Sequence, residues 1–473
     1  MNSATAIADS PAAWKDTAAE FSMGLRGRLL SAGDDGYDAA RRVWNGMIDR
    51  KPRHILCCSG AADVVQAINF ARDHGLDLSV RGGGHNVSGN AVTDGGLMID
   101  LSPMRGIRVE PAKKVARVEG GCTWRDFDKE AQAFGLATTG GVIPSTGVAG
   151  LTLGGGLGWL MRKHGLSCDN LLSADVVTAD GRLIQARADE HADLFWALRG
   201  GGGNFGVVTS FEFRLHPVGH VLGGMVAYPL DEARAVLTFL RDFWLSTPDN
   251  LTIIPAFVTT PDSAKILAVC VCFSGPLADG EKLLRPLRNF DTPVADSIAA
   301  MPYVQLQAML EPGFPPGLRN YWKSSFLTGL GDEAIEILVA GYHKVPSSFS
   351  AIAIEQLGGS LSRVAEEATA FSHRRAACNL LILGMWPDRD GDAAQVGWVR
   401  DLWQAMQPHV SGGVYVNYLG QSGDEGADRV RAAYGGNFER LLEVKRKYDS
   451  DNVFRLNQNI DPANTESWTC PKQ

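Results

Sequence analysis

Apolar positions recur every three to four residues in some stretches of this chain and every second residue in others, and the change of period marks its elements. The spacing predicts a helix over 62–74, closed by Gly75 where a positive φ ends the last turn, and a strand over 76–80 directly after it. Alternation over 106–120, broken by Glu110, Pro111, Ala112 and Lys113, reads as a hairpin; Thr123 then caps a helix reaching Phe134 before Gly135. A second hairpin turns at Ala179, Asp180 and Gly181 between 174–177 and 183–184, followed by a helix over 191–198 and a strand over 207–215. Residues 54–215 therefore read as an α+β region of short strands, helices and glycine turns. From 216 the texture shifts to longer amphipathic helices, such as 231–244, and apolar strands, such as 266–273 and 380–385. The tail offers a strand over 414–418, a helix over 440–448 and an Asn-rich stretch at 457–460. In that strand Tyr415, Asn417 and Leu419 would share one face, Val416 and Tyr418 the other.

With 473 residues, two or three domains are expected. A formal charge of -8 without a Lys/Arg block argues against nucleic acid or a membrane surface as partner and leaves a small molecule. Residues 1–15 lack a basic segment followed by an apolar one, and no apolar run is long enough to span a bilayer, so a cytoplasmic location is the simplest expectation. Cysteines 57, 58, 122, 168, 270, 272, 378 and 470 form no CxxC pair and no zinc spacing; each is expected to be a buried free thiol in a reducing compartment.

The glycines cluster at 81–89, 147–158 and 200–206. Glycine permits positive φ and close backbone approach, so consecutive N–H groups can form a nest for phosphate oxygens. Three such loops suggest a long phosphate-bearing cofactor held by backbone amides, and a dinucleotide is the natural candidate. The dinucleotide fingerprint of nicotinamide enzymes needs GxGxxG opening a helix with an acid about 20 residues on. None of the three clusters meets it, so NAD is disfavoured. His85, inside the first cluster, would lie beside whatever is bound.

RGGGHNVSG at 81–89, GVAGLTLGGGLGWL at 147–160, DLFWALRGGGGNFGVVTSFEF at 193–213 and YDSDNVFRLNQNI at 448–460 resemble the signatures of the vanillyl-alcohol-oxidase-like flavoproteins, in the branch of berberine-bridge-enzyme-like and 6-hydroxynicotine-oxidase-like FAD oxidases. The resemblance spans nearly the whole chain. It implies an α+β architecture with a two-part FAD-binding domain, residues 1–215 and 412–473, and an inserted substrate domain, residues 216–411, built on an antiparallel sheet flanked by helices. It also implies that residues 81–84 (Arg81, Gly82, Gly83, Gly84) cradle the pyrophosphate and that His85 is joined covalently to the flavin 8α-methyl. Asn86, Ser88 and Gly89 belong to the same implied cofactor site, as do Thr146, Gly147, Gly150, Gly154, Gly155 and Gly158 of the second loop. Gly206 and Val208 follow from the third, while Asn457, Gln458 and Asn459 offer amides for the pyrimidine edge.

Some relatives carry a second tether in a Gly-x-Cys-Pro-x-x-Gly loop; here Ile143 stands in the cysteine's place and Cys168 falls outside the motif, so one covalent link is expected. A single tether implies, by analogy, a tighter pocket and a smaller substrate.

The same likeness points to Tyr418 as the proton acceptor, with Tyr415 beside it, and to Glu355 or Gln356 facing the substrate. On its residues alone Tyr418 is equally a core or stacking aromatic. A phenol has a reference pKa near 10, so a catalytic Tyr418 needs a positive charge or hydrogen-bond donors, and the sequence does not name them. The implied reaction moves a hydride from an alcohol, amine or phenol to flavin N5, and O2 reoxidises the flavin to give H2O2. A flavin dehydrogenase with another acceptor and a non-catalytic flavin-binding module remain open. A hydrolase is disfavoured because no GxSxG elbow or metal-ligand cluster is present.

Overall fold

A strand, a crossover helix and a second strand make the unit that positions the first glycine loop. The computed structural model describes residues 11–464. In it the helix Ala61–Asp73 links the strands His54–Cys57 and Leu78–Arg81, which flank Leu97–Asp100 in parallel. Arg28–Ser31 adds an antiparallel edge, giving the order 28–31, 54–57, 97–100, 78–81. The loop at 82–89 leaves the carboxyl end of a parallel strand, where open α/β sheets bind ligands.

A second, five-stranded sheet is antiparallel throughout, in the order Ile107–Glu110, Val115–Glu119, Val207–Arg214, Leu171–Val177, Leu183–Arg187. Both expected hairpins lie in it. Thr123 and Asp126 form a reciprocal capping box that starts the helix Trp124–Gln132.

The third sheet has eight strands, all antiparallel. Its long members are His220–Pro229, Lys265–Phe273, Leu251–Thr259, Ala351–Gln356, Cys378–Trp386 and Arg319–Leu327, in that spatial order. Strands such as KILAVCVCF are apolar at nearly every position, as strands are when both faces are covered. One face carries Phe257, Leu267, Val269, Ile352 and Ile382 into a core closed by the helices Ala233–Trp244, Asp332–His343 and Asp392–Ala405. The other face, at the alternate positions, meets the glycine loops.

The tail departs from expectation. Residues 414–418 form no strand; Val416–Tyr418 is a single 3-10 turn. The seven cysteines among the described residues are unpaired, whereas Cys470 and residues 1–10 of the N-terminal stretch lie outside them. Among the described residues no helix is long and apolar enough to cross a membrane.

Candidate active site

Between the three glycine loops and the open face of the eight-stranded sheet lies a cavity of about 420 Å³. Its root is fixed by an ion pair. Arg81 and Asp100 are directly paired in the parallel ladder, and the guanidinium grips the carboxylate through Nε at 2.9 Å and Nη2 at 2.6 Å. Arg81 also donates to the carbonyls of Ala40 and Arg42, so its side chain serves the fold rather than the cavity.

The first two glycine loops touch backbone to backbone. A Cβ on Gly83 would stand 2.4 Å from the Gly147 nitrogen, and one on Gly147 would stand 2.4 Å from the Gly83 nitrogen. Gly82, Gly83, Gly84, His85 and Asn86 face the cavity, as do Thr146, Gly147 and Gly150 of the second loop and Gly206 and Val208 of the third. Beside Gly150 and Gly203 a Cβ would meet nothing within 4 Å. Asn457 and Gln458 line the same end, each with a buried amide oxygen that has no protein partner. No Lys, Arg or Asp lines the cavity among the described residues. A phosphate held here would therefore be met by backbone N–H groups, as at other glycine nests. Open backbone amides, unpartnered amide oxygens and a loop side without charged side chains fit a dinucleotide cofactor.

The remaining expected cofactor residues lie off the cavity. The Ser88 hydroxyl donates to Asn86 Oδ1, and the Gly89 carbonyl accepts from Arg50. Gly154, Gly155 and Gly158 let the second loop pack: a Cβ on Gly154 would meet Asn417 at 2.0 Å, and one on Gly158 would meet the Gly140 carbonyl at 1.7 Å. The Asn459 side-chain oxygen is buried and unpartnered but does not line the cavity.

His85 lies where loops and sheet meet. Trp44 stacks on its ring at 4.5 Å and 17°, and Ser145 Oγ is 3.4 Å from Nε2. Enclosure by protein pushes the imidazole down to about 4, so the ring is neutral, with a nucleophilic lone pair, at physiological pH. Trp44 in turn meets Trp322 of the sheet edge to face. Ile143 lines the cavity nearby.

Opposite the loops stand two tyrosines and a glutamate. The 3-10 turn puts Tyr415 and Tyr418 on one side at i and i+3, with their rings 4.8 Å apart and perpendicular, whereas a strand would have separated them. The Tyr415 hydroxyl accepts from the Gly156 and Leu157 amides, at 2.9 and 3.3 Å, and from Asn417 Nδ2 at 2.7 Å. Among the described residues no Lys or Arg lies beside Tyr418. Its hydroxyl donates to Glu355 Oε1 at 3.0 Å, while Asn379 Nδ2 donates to Oε2 at 2.7 Å. Burial lifts the Glu355 carboxyl to about 7, and burial plus the Glu355 charge push Tyr418 well above a normal phenol. Of the pair, Glu355 is the group that ionises near neutral pH, while Tyr418 keeps its proton. Gln356 points away and donates to Thr247.

Trp44, Trp322 and Asn379 escape the sequence pattern. Trp44 lies between regular elements, Trp322 reads as an ordinary strand aromatic, and Asn379 becomes informative only once its strand is paired with that of Glu355.

A family model described as an FAD binding domain matches residues 52–187, and one described as berberine and berberine like matches residues 414–461. An FAD-linked oxidoreductase of Dictyostelium discoideum is 33% identical over 94% of this chain and 96% of its own length. (R)-6-hydroxynicotine oxidase of Paenarthrobacter nicotinovorans is 34% identical over 93% of this chain and 98% of its own. A crystal structure of 6-hydroxy-D-nicotine oxidase from Arthrobacter nicotinovorans superposes with a TM-score of 0.85 at 34% identity, covering 93% of this chain and 98% of that one.

Proposed function

The chain belongs to the berberine-bridge-enzyme-like family of FAD-linked oxidoreductases, and on that premise we propose that it is an oxidase that removes two electrons from a small alcohol, amine or phenol. FAD, when bound, would supply the two-electron acceptor, with O2 as its oxidant and H2O2 as the product. The cofactor-binding part comprises residues 1–215 and 412–473 and the substrate part residues 216–411.

Backbone amides of Gly82, Gly83, Gly84, Gly147 and Gly206 would hold the pyrophosphate, and Asn457 and Gln458 would supply hydrogen bonds to the heterocycle. His85 carries the covalent link to the flavin 8α-methyl, and Ile143 leaves it the sole tether. The neutral imidazole fixed between Trp44 and Ser145 supports this role. A cytoplasmic site of action fits seven unpaired cysteines, all but Cys57 buried.

Tyr418 takes the proton of the substrate O–H or N–H while its own passes to Glu355, which Asn379 holds in place. Tyr415, fixed by three donors, keeps the turn and the second glycine loop together. The observation that carries this reading is the Tyr418–Glu355 pair opening on the same cavity as His85 and the glycine loops.

Anaerobic mixing with a panel of alcohols, amines and phenols tests it. At least one should bleach the flavin, and admitting air should restore the colour rapidly with stoichiometric H2O2. Bleaching followed by slow recovery in air would make the protein a dehydrogenase; no bleaching by any compound would leave a binding module.

A further inference from the structure

The face of the eight-stranded sheet that looks into the cavity is apolar over most of its extent. Period-two alternation brings Ala256 and Val258 from one strand, Ala268 and Cys270 from the next, and Leu381 and Leu383 from a third to the cavity wall. Ala351 and Ala353 continue it from the strand that carries Glu355. Burial pushes the Cys270 thiol up to about 12, hence uncharged. Glu355 is the only Asp, Glu, Lys or Arg on the lining among the described residues. Its two oxygens are already oriented, one by Tyr418 and one by Asn379.

We propose that the substrate is an apolar, ring-sized molecule with a single hydroxyl or amino group and no negative charge, placed so that this one polar group meets the Tyr418–Glu355 pair. The inference rests on the oxidase reading above and narrows its substrate class. A polyol would bury several hydroxyls against alanine, valine and leucine with nothing to accept or donate, which a pocket of this composition penalises. An anion would face a carboxylate with no cation on the wall to offset it. A protonated amine has the opposite fate: Glu355 is its counter-ion. The four alanines supply the room, because any larger residue at these positions would project into the space between loops and sheet.

Equilibrium titration of the flavin-loaded protein, followed by perturbation of the flavin visible spectrum, reads this class directly. The probes are benzyl alcohol and N-methylbenzylamine, against benzoate and D-glucose. The alcohol and the amine should bind at least about tenfold more tightly than benzoate or glucose. At pH 8 Glu355→Gln should weaken N-methylbenzylamine about tenfold more than it weakens benzyl alcohol. Benzoate or glucose binding as tightly as benzyl alcohol would overturn the proposal, as would no response to either apolar probe up to its solubility limit. If Glu355→Gln does not fold, the wild-type order alone decides. Turnover separates the two readings: probes that bind in the expected order while no compound bleaches the flavin retain the class and remove the oxidase, whereas bleaching by glucose but by neither apolar probe removes the class and retains the oxidase.

Discussion

Glu355 is a carboxylate whose environment resists its charge. It is enclosed by apolar strands, and its hydrogen bonds come from one phenol and one amide, so desolvation outweighs them and lifts it to about 7. The base form accordingly grows in across neutral pH, and kcat/KM should rise with pH through about 7. Glu355→Gln should abolish that inflection and lower the rate about 10²–10⁴-fold. A wild-type pH profile that is flat between 6 and 8, roughly the window of this titration, would contradict the assignment. Tyr418→Phe should cost about 10²-fold in flavin reduction with flavin content unchanged, since it cuts the proton path and not the cofactor site. Tyr418 and Glu355 each stood out in the sequence, but their pairing did not. They are 63 positions apart, and only the meeting of the turn with the sheet joins them. In place of the positive charge or hydrogen-bond donors that a catalytic Tyr418 would need stands a carboxylate that accepts from its hydroxyl, and the proposed relay rests on that pair.

At the scale of elements, the backbone contact between Gly83 and Gly147 joins two loops that neither sequence nor ladder links. Gly147→Ala forces a Cβ to 2.4 Å of a backbone nitrogen. Its cost should be about 1–3 kcal/mol, seen as a lower Tm, together with loss of bound flavin. Helices, hairpins and most strands were legible because their periodicity is strong. The segment 414–418 was not: alternating apolar and polar residues suit a strand, but tertiary packing of Tyr415 under the Gly156 amide imposes a 3-10 turn. A second packing pair makes a pH prediction. Asp128 on the helix Trp124–Gln132 accepts from Gln307 Nε2 at 2.7 Å, while its Oδ1 and the Gln307 Oε1 are buried without partners. A proton on Asp128 can satisfy both atoms, and burial raises this carboxyl to about 7. The folded state then binds the proton more tightly than an unfolded Asp near 3.9. The resulting stabilisation is complete below pH about 4 and is lost as pH rises through about 7, at roughly 1.4 kcal/mol per unit. Asp128→Asn should raise Tm more at pH 8 than at pH 5; an equal change at both would refute the buried proton.

The molecule as a whole is an oriented cavity between a glycine-rich cradle and an apolar sheet. Its α+β class and its flavin chemistry were readable because three glycine loops and the 448–460 segment carry family signatures. The two-sided apolar sheet was visible only as apolar runs. Periodicity cannot tell a face buried under helices from one lining a cavity, since both exclude polar residues. The same limit hid Trp44, whose importance comes from lying over His85 rather than from its neighbours in sequence. Everything assigned to the cavity depends on a flavin fixed to His85. Acid denaturation of the purified protein, followed by a visible spectrum of pellet and supernatant, tests that directly. The account predicts a yellow pellet from the wild type and a colourless one from His85→Ala; flavin released into the wild-type supernatant would contradict it.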